Sequence, residues 1–578
     1  MTSRNVRNGY DGHGPVREAG TLPAMQANSG AAPRATIVMT ARERHCLTEA
    51  AIESIVADTQ RPYRLVYLDV QSPQWLRETL SARAAEWELE IVRFDEPLWP
   101  TEARARFAAS IASDYAVFID NDVQVEPGWL EALVECADAT GAGVVGPLYL
   151  WGDGIGAPKI HMAGGQLLES PDGAGRVLDE AHRLFNADPR AVARHLVRQP
   201  CDFVEFHCML IRTSLLRGGA LFDPAIRCVH EHIDVALQSV RQGMPVYLEP
   251  AARVQYLAFS DHMLDDLPFF RSRWDRAEGE ASIAAFARKW NVTNDDRSFG
   301  GVREFLRTHV GHVDPVRPAR AAGVTGDRGV PLRADEFVQS RSALLDLALR
   351  RGYGPADIDL IVRAHALAQN LFDGGYRPCG RPFLNHAIGT AGVLVRYDFV
   401  APVVAAGMLH AAYSHAPDRG DGPEAASAAV GAALADLGTA VERRVRAYTQ
   451  RESLIDEYAC DDEALTTLSV HEAEIIAIEA ANEVDMHRSG EFRYTGRTDA
   501  LPPEAMVQIA HVCRALGVDG LAATLAQARE REVPVPAALR TGMQVSYRFG
   551  PDRRTAVPMV GAAEATPVPD RAALMSGQ

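Results

Sequence analysis

Cysteine is scarce and scattered in this sequence. Its eight residues, at positions 46, 136, 201, 208, 228, 379, 460 and 513, form no C-x-x-C pair. That weighs against a disulfide or zinc framework and favours reduced thiols in a cytoplasmic protein. No uninterrupted apolar stretch is long enough to span a bilayer, and the first residues carry no apolar signal core, so secretion is not expected. Peripheral membrane contact stays open. Positive charge is short too: 59 Lys and Arg face 76 Asp and Glu, a formal charge of −17. A nucleic-acid binder would show a basic face, so that class is disfavoured, although a local basic pocket is not. What is present is ordinary globular composition, 47% hydrophobic and 23% charged, in 578 residues. A single core stops growing well below that length, so more than one domain is expected.

Residues 1 to about 34 mix Gly, Asn, Arg, Pro and Ala without periodicity and read as a disordered leader. Apolar runs at 35–39, 63–69 and 89–94 then alternate with helical patterns near 48–56, 75–89 and 103–112. A further run at 116–119 (Ala-Val-Phe-Ile) follows. This alternation predicts a mainly parallel sheet with helices on both faces, a Rossmann-like α/β domain.

The run at 116–119 stops abruptly at Asp120, Asn121 and Asp122, and Pro127 stands near the start of a helix through Trp129, Leu130, Leu133 and Val134. Open α/β sheets place ligand chemistry at the carboxyl ends of their strands. Residues i and i+2 of an extended chain face the same side, so Asp120 and Asp122 can converge on one hard cation. The bland alternative is an Asp-rich turn after a strand.

Asp69 after the second strand, Arg106 before the central one and the 120–122 cluster together resemble the family 2 glycosyltransferases. These are inverting GT-A enzymes that use nucleotide-sugar donors. The resemblance extends over about residues 35 to 295, through Val144-Val-Gly-Pro147, the 202–212 strand, Glu231-His232-Ile-Asp234, the Gly243 to Pro250 segment, and Lys289-Trp290. It implies donor contacts from Thr40, Arg42, Asp69, Arg106, Asp120 and Asn121. It also implies Mg²⁺ or Mn²⁺ on Asp122 and Asp120, assisted by His262. The cation would neutralise charge on the leaving diphosphate, and a carboxylate or imidazole would deprotonate the acceptor hydroxyl. The family usually has Glu-Asp at the head of the catalytic helix, where this chain has Glu231-His232. Either Glu231 or His232 is then the base, with Asp234 a third candidate. The alternative is that these acids only favour a helix N-terminus, with His230 and His232 solvated.

From 312 to 334 the composition shifts to Pro, Arg, Ala and Gly, a linker by composition. Helical periodicity follows at 335–351, 355–373, 382–397, 399–414, 424–449, 462–487 and 503–517, predicting an all-α domain over 335–546. It resembles the HD superfamily as found in the hydrolase half of stringent-response enzymes. Its metal-site positions map to His386, His410, Asn482 and Asp485. Two anionic positions are replaced, by Ala411 and Asn482, so the expected domain keeps the fold without a complete ligand set. The tail from 547 lacks periodicity and reads as disordered.

The combined expectation is a GT-A transferase fused to a degenerate HD-like domain. It would take a nucleotide-sugar donor and a saccharide or lipid-linked acceptor, with no nucleic acid, for polysaccharide or glycoconjugate synthesis. The rivals are a metal-dependent phosphohydrolase acting through the helical domain and a non-catalytic scaffold.

Overall fold

Strand-forming runs and helices alternate from Ala35 onwards. In the computed structural model the described residues are 16–18, 32–152, 157–172, 175–219, 221–258, 262–317, 327–415, 423–450, 468–495, 501–530, 535–537, 540, 545–549 and 556–559. Most of the expected leader lies outside them. The chain divides into two compact units, Met1–Val310 and Gly311–Gln578.

The first unit is built on an eleven-stranded sheet. Its strands are β1 (Val16–Glu18), β2 (Ala35–Thr40), β3 (Arg64–Val70), β4 (Leu89–Phe94), β5 (Tyr115–Asp120), β6 (Val123–Val125), β7 (Val144–Trp151) and β8 (Lys159–Met162). β9 (Gly165–Asp172) and β10 (Gly175–His182) form a separate antiparallel hairpin. β11 (Gln199–Cys201), β12 (Cys208–Arg212) and β13 (Val246–Tyr256) complete the sheet. The order is β1-β4-β3-β2-β5-β12-β7-β13-β11, with β6 on β13 and β8 on β7. The strands from β1 to β5 run parallel to one another. Every residue of β2 and β5 is buried, as strands covered on both faces must be. Beyond β5 the mainly parallel sheet becomes mixed: β12 lies antiparallel between β5 and β7. β1 also shows that part of the expected leader is ordered, pairing parallel to β4.

Helices α1 (Thr48–Asp58), α2 (Gln74–Trp87), α3 (Pro100–Ala108) and α4 (Trp129–Thr140) connect the early strands. α5 (Glu231–Arg241), α6 (Leu267–Arg273), α7 (Arg276–Trp290) and α8 (Asp296–Val313) follow. α3 starts at Pro100, with Glu102 accepting the Trp99 N–H at 2.9 Å, a favourable first turn.

The second unit is helical: α9 (Arg341–Arg350), α10 (Pro355–Phe372), α11 (Phe383–Arg396), α12 (Ala401–Met408), α13 (Ala412–His415), α14 (Pro423–Ala435) and α15 (Thr439–Thr449). α16 (Val470–Ser489), α17 (Glu491–Thr495), α18 (Pro503–Ala515) and α19 (Asp519–Glu530) complete the set. The helix expected over 424–449 breaks at Gly438, whose φ of 124° no other residue type adopts readily. The start of the helix expected over 462–487 lies outside the described residues. Part of the compositional linker is packed: Leu332 is buried and its N–H donates to Thr524 at 2.7 Å. The expected disordered tail supplies β15 (Tyr547–Phe549) and β16 (Ala556–Pro558), which form a small sheet with β14 (Gly375–Tyr376). These strands are too short to leave a periodic signal. Among the described residues no helix is long and apolar enough to cross a membrane.

Candidate active site

β5 carries Asp120 to its carboxyl end, where Asn121 and Asp122 turn the chain into β6. Asn121 is a structural knot. Its Nδ2 donates to Glu43 O at 2.9 Å, Arg44 O at 3.2 Å and Thr48 Oγ1 at 3.1 Å, while its Oδ1 accepts the Arg42 N–H at 3.1 Å. That binds the loop after β2 to the end of β5 and delivers two arginines. Arg42 Nη1 reaches Asp120 at 2.6 Å, and Arg44 Nη1 reaches Asp122 at 2.8 Å. Arg44 does so from a left-handed backbone, φ 53°, an uncommon conformation that surrounding contacts must hold.

A third arginine comes from α3. Pro100, Ala103, Arg104 and Phe107 share its buried face, the i, i+3, i+4, i+7 spacing of one helical stripe. Arg104 Nη2 donates to Asp120 Oδ1 at 3.0 Å, with its guanidinium 4.2 Å from the Phe206 ring. His207 Nδ1 meets Asp120 Oδ2 at 3.1 Å. Burial pushes the Asp120 carboxyl up, but Arg42, His207 and Arg104 outweigh it, leaving the group below its ordinary range. Burial prevails at Asp122 despite Arg44, so that group is held above its ordinary range.

Beside Asp120 lies a small pocket lined by Arg42, Trp99, Pro100, Arg104, Arg227, Cys228, Glu231 and Arg273. Four arginines line it with Glu231, a lining that suits an anionic ligand, although Arg42 and Arg104 pair with Asp120, Arg227 with Glu278 and Arg273 with Glu43. Glu231 opens α5, after His230 in a left-handed conformation at φ 63°. Burial raises the Glu231 pKa against the pull of Arg42 and Arg104. His232 turns elsewhere: its ring packs 5.5 Å from that of Phe203, and its Nε2 lies 3.8 Å from Glu180. Burial lowers the His232 pKa to about 4 and raises that of Glu180 to about 8. Neither His230 nor His232 is solvated; both are buried or nearly so. Asp234 is buried, accepting from Trp290 Nε1 at 2.8 Å and pairing with Lys289 Nζ at 2.9 Å, so it staples α5 to α7.

The other sequence-derived residues divide. Thr40 ends β2 in register with Asp120, its hydroxyl buried without a partner among the described residues. Asp69 accepts the Ser72 N–H at 2.9 Å and lies 3.3 Å from Arg93 and 3.5 Å from Arg77. Arg106 is not brought to Asp120; its half-exposed side chain pairs with Glu96. His262 Nε2 meets Glu43 at 3.2 Å. Arg44, Arg104 and His207 were not singled out from sequence, although the stripe on α3 marks Arg104 as inward and Arg106 as outward. The ligand atoms of Asp120, Asp122 and His207 lie within 4.8 Å of one another. Two carboxylates and an imidazole are a donor set that fits Mg²⁺ or, better, Mn²⁺.

Residues 36–218 match the family model Glycosyl transferase family 2. The similarity to that family is confined to this segment, about a third of the chain. It ends before Glu231, so the head of α5 lies outside the matched residues. No curated protein matches the chain. Among solved structures it is similar to GalNAc-T7 with UDP, GalNAc and Mn²⁺, at 15% identity and a TM-score of 0.33, over 48% of this chain and 54% of that one. It is also similar to S. aureus TarS (13% identity, TM-score 0.29, over 44% of this chain and 43% of that one). S. aureus TarS 1–349 in complex with UDP gives 10% and 0.29, over 48% and 78%. The chain thus spans about half the length of the first two structures it matches.

Proposed function

We propose that this chain is an inverting glycosyltransferase that moves a sugar from a nucleotide-diphosphate donor to an acceptor hydroxyl. The observation that carries the reading is the arginine-lined pocket that brings Glu231 beside the Asp120 cluster. Arg42, Arg104, Arg227 and Arg273 meet the diphosphate, placing positive charge where negative charge grows as the glycosidic bond breaks. Asp122 and Asp120 would hold Mg²⁺ or Mn²⁺, which when bound supplies further neutralisation of the leaving diphosphate. Thr40 and Asp69 are assigned to the nucleoside side of the site. Glu231 acts as base on the acceptor hydroxyl: it lines the pocket, and its raised pKa suits proton acceptance. His232, packed toward Glu180, orients the acceptor side. Asp234 and His262 support the site through Lys289 and Glu43 respectively.

Turnover of nucleotide-sugars with Mn²⁺ tests this reading. Glu231→Gln is expected to lower kcat about 10²–10⁴-fold, and Asp122→Asn to abolish turnover, with folding retained in both. Full turnover in Glu231→Gln removes it as the base.

The helical unit is proposed as HD-like, regulatory or structural. His386 Nε2 lies 3.3 Å from His410 Nε2, and Asp485 meets His386 Nδ1 at 2.7 Å. Asp485 is also taken by Arg381, and Asn482 leaves its Oδ1 buried without a partner among the described residues. Ala411 and Asn482 bring no negative charge, which disfavours a hydrolytic metal there. Product in polysaccharide or glycoconjugate synthesis, and a cytoplasmic setting in keeping with the free described thiols, complete the proposal.

A further inference from the structure

Next to Asp120, and independent of the transferase reading, a second group of ligand-type side chains converges. His161 lies on β8, His182 ends β10, and Glu205 and His207 flank Phe206 just before β12. His161 Nε2 is 2.8 Å from Glu205 Oε2, His207 Nε2 is 3.4 Å from the same oxygen, and His182 Nε2 is 3.5 Å from Oε1. The ligand atoms of His161, Glu205 and His207 all lie within 4.8 Å of one another. Both His161 and His207 are more than nine-tenths buried. Tyr256 stacks on His207 at 3.8 Å and Trp151 packs 4.9 Å from His161, so aromatic faces fix the two imidazoles.

One carboxylate can neutralise a single imidazolium. Three imidazoles turned toward it are satisfied together by a shared cation. The second nitrogen of His207 fits this arrangement: Nδ1 lies 3.1 Å from Asp120. An Nδ1–H donated there leaves the Nε2 lone pair for a metal, with the carboxylate behind the imidazole fixing ring and tautomer. Mostly imidazole donors with one carboxylate suit a zinc-type first-row cation, whereas Mg²⁺ prefers oxygen.

We propose that His161, Glu205 and His207, with His182 as fourth donor, form a site for a zinc-type divalent cation. It is distinct in donor set from the Asp120–Asp122 carboxylates, toward which the His207 ring only donates its Nδ1–H.

The test uses the full chain stripped with EDTA and titrated with Co²⁺ as a spectroscopic probe. One equivalent is expected to give the intense visible bands of a four-coordinate N/O site, displaced by Zn²⁺ but not by Mg²⁺. His161→Gln and Glu205→Gln are expected to weaken uptake by more than the roughly 10–100-fold that loss of a supporting hydrogen bond costs. Asp122→Asn is expected to keep the spectrum. Absence of intense bands in the unaltered chain overturns the proposal. So does an unchanged spectrum in both site variants, or loss in Asp122→Asn with retention in Glu205→Gln. Should a variant fail to fold by circular dichroism, the Zn²⁺ and Mg²⁺ competition on the unaltered chain decides.

Discussion

Arg104 and Arg106 stand two residues apart on α3 and have opposite fates. Arg104 is 1% exposed and donates to Asp120, whereas Arg106 pairs with Glu96 at the surface. Arg104→Ala removes one charged hydrogen-bond partner of Asp120 while Arg42 and His207 remain, a change that costs about 1.5–3 kcal/mol, and is expected to cut donor turnover. Arg106→Ala is expected to stay within about 0.5 kcal/mol of the unaltered chain. Urea melts and donor kinetics on the two variants check this. His230 gives a pH effect. Its ring sits 4.9 Å from Phe286 and 5.3 Å from Phe299, and burial, then His232, lowers its pKa to about 3. The unfolded chain binds that proton near pH 6.5. The stability His230 contributes is therefore complete above about pH 6.5 and is lost as pH falls toward about 3, at up to about 1.4 kcal/mol per pH unit. His230→Asn tolerates the left-handed backbone and is expected to flatten the slope of Tm against pH, leaving a residual slope from His232.

At the scale of elements, the packing of α11 against α16 sets an expectation opposite to helix propensity. Gly389 lies inside α11, where Gly→Ala ordinarily stabilises by about 1 kcal/mol. Here an added Cβ would overlap Asp485 Oδ1. Asp485 is held by His386, Arg381 and Gln339, so it cannot swing aside cheaply. Gly389→Ala is expected to destabilise the helical unit by about 1–3 kcal/mol, read by chemical denaturation. Elements also show what was legible beforehand. The runs of β2, β3 and β5 and the long helices α10 and α16 announce themselves through apolar periodicity. The antiparallel insertion of β12 and the break at Gly438 do not. Strand pairing is a contact between distant segments, and a glycine's φ depends on the turn it must make.

For the whole molecule, an overall charge of −17 coexists with a pocket lined by four arginines. Net charge therefore says nothing of the local field a phosphate-bearing ligand meets. A nucleoside diphosphate with Mn²⁺ is expected to raise Tm by mass action, about 2.7 kcal/mol at a ligand concentration of 100 Kd. EDTA is expected to diminish the shift, and Asp122→Asn to mimic EDTA. A panel of bases in a thermal-shift titration measures it. The acids at 120 and 122 were expected to converge, and their ligand atoms do lie within 4.8 Å of each other. Their partners were not legible, because Arg42, Arg44, Arg104 and His207 arrive from three separate segments.

Local order, then, was written in the chain itself: periodicity defined the α/β half and the helical half, since side-chain spacing alone selects strand or helix. Tertiary structure decided the rest. Only folding determines which arginine meets which carboxylate, which histidine faces Glu205, and which of Glu231 and His232 lines the pocket, because burial and pairing are properties of residues far apart in sequence.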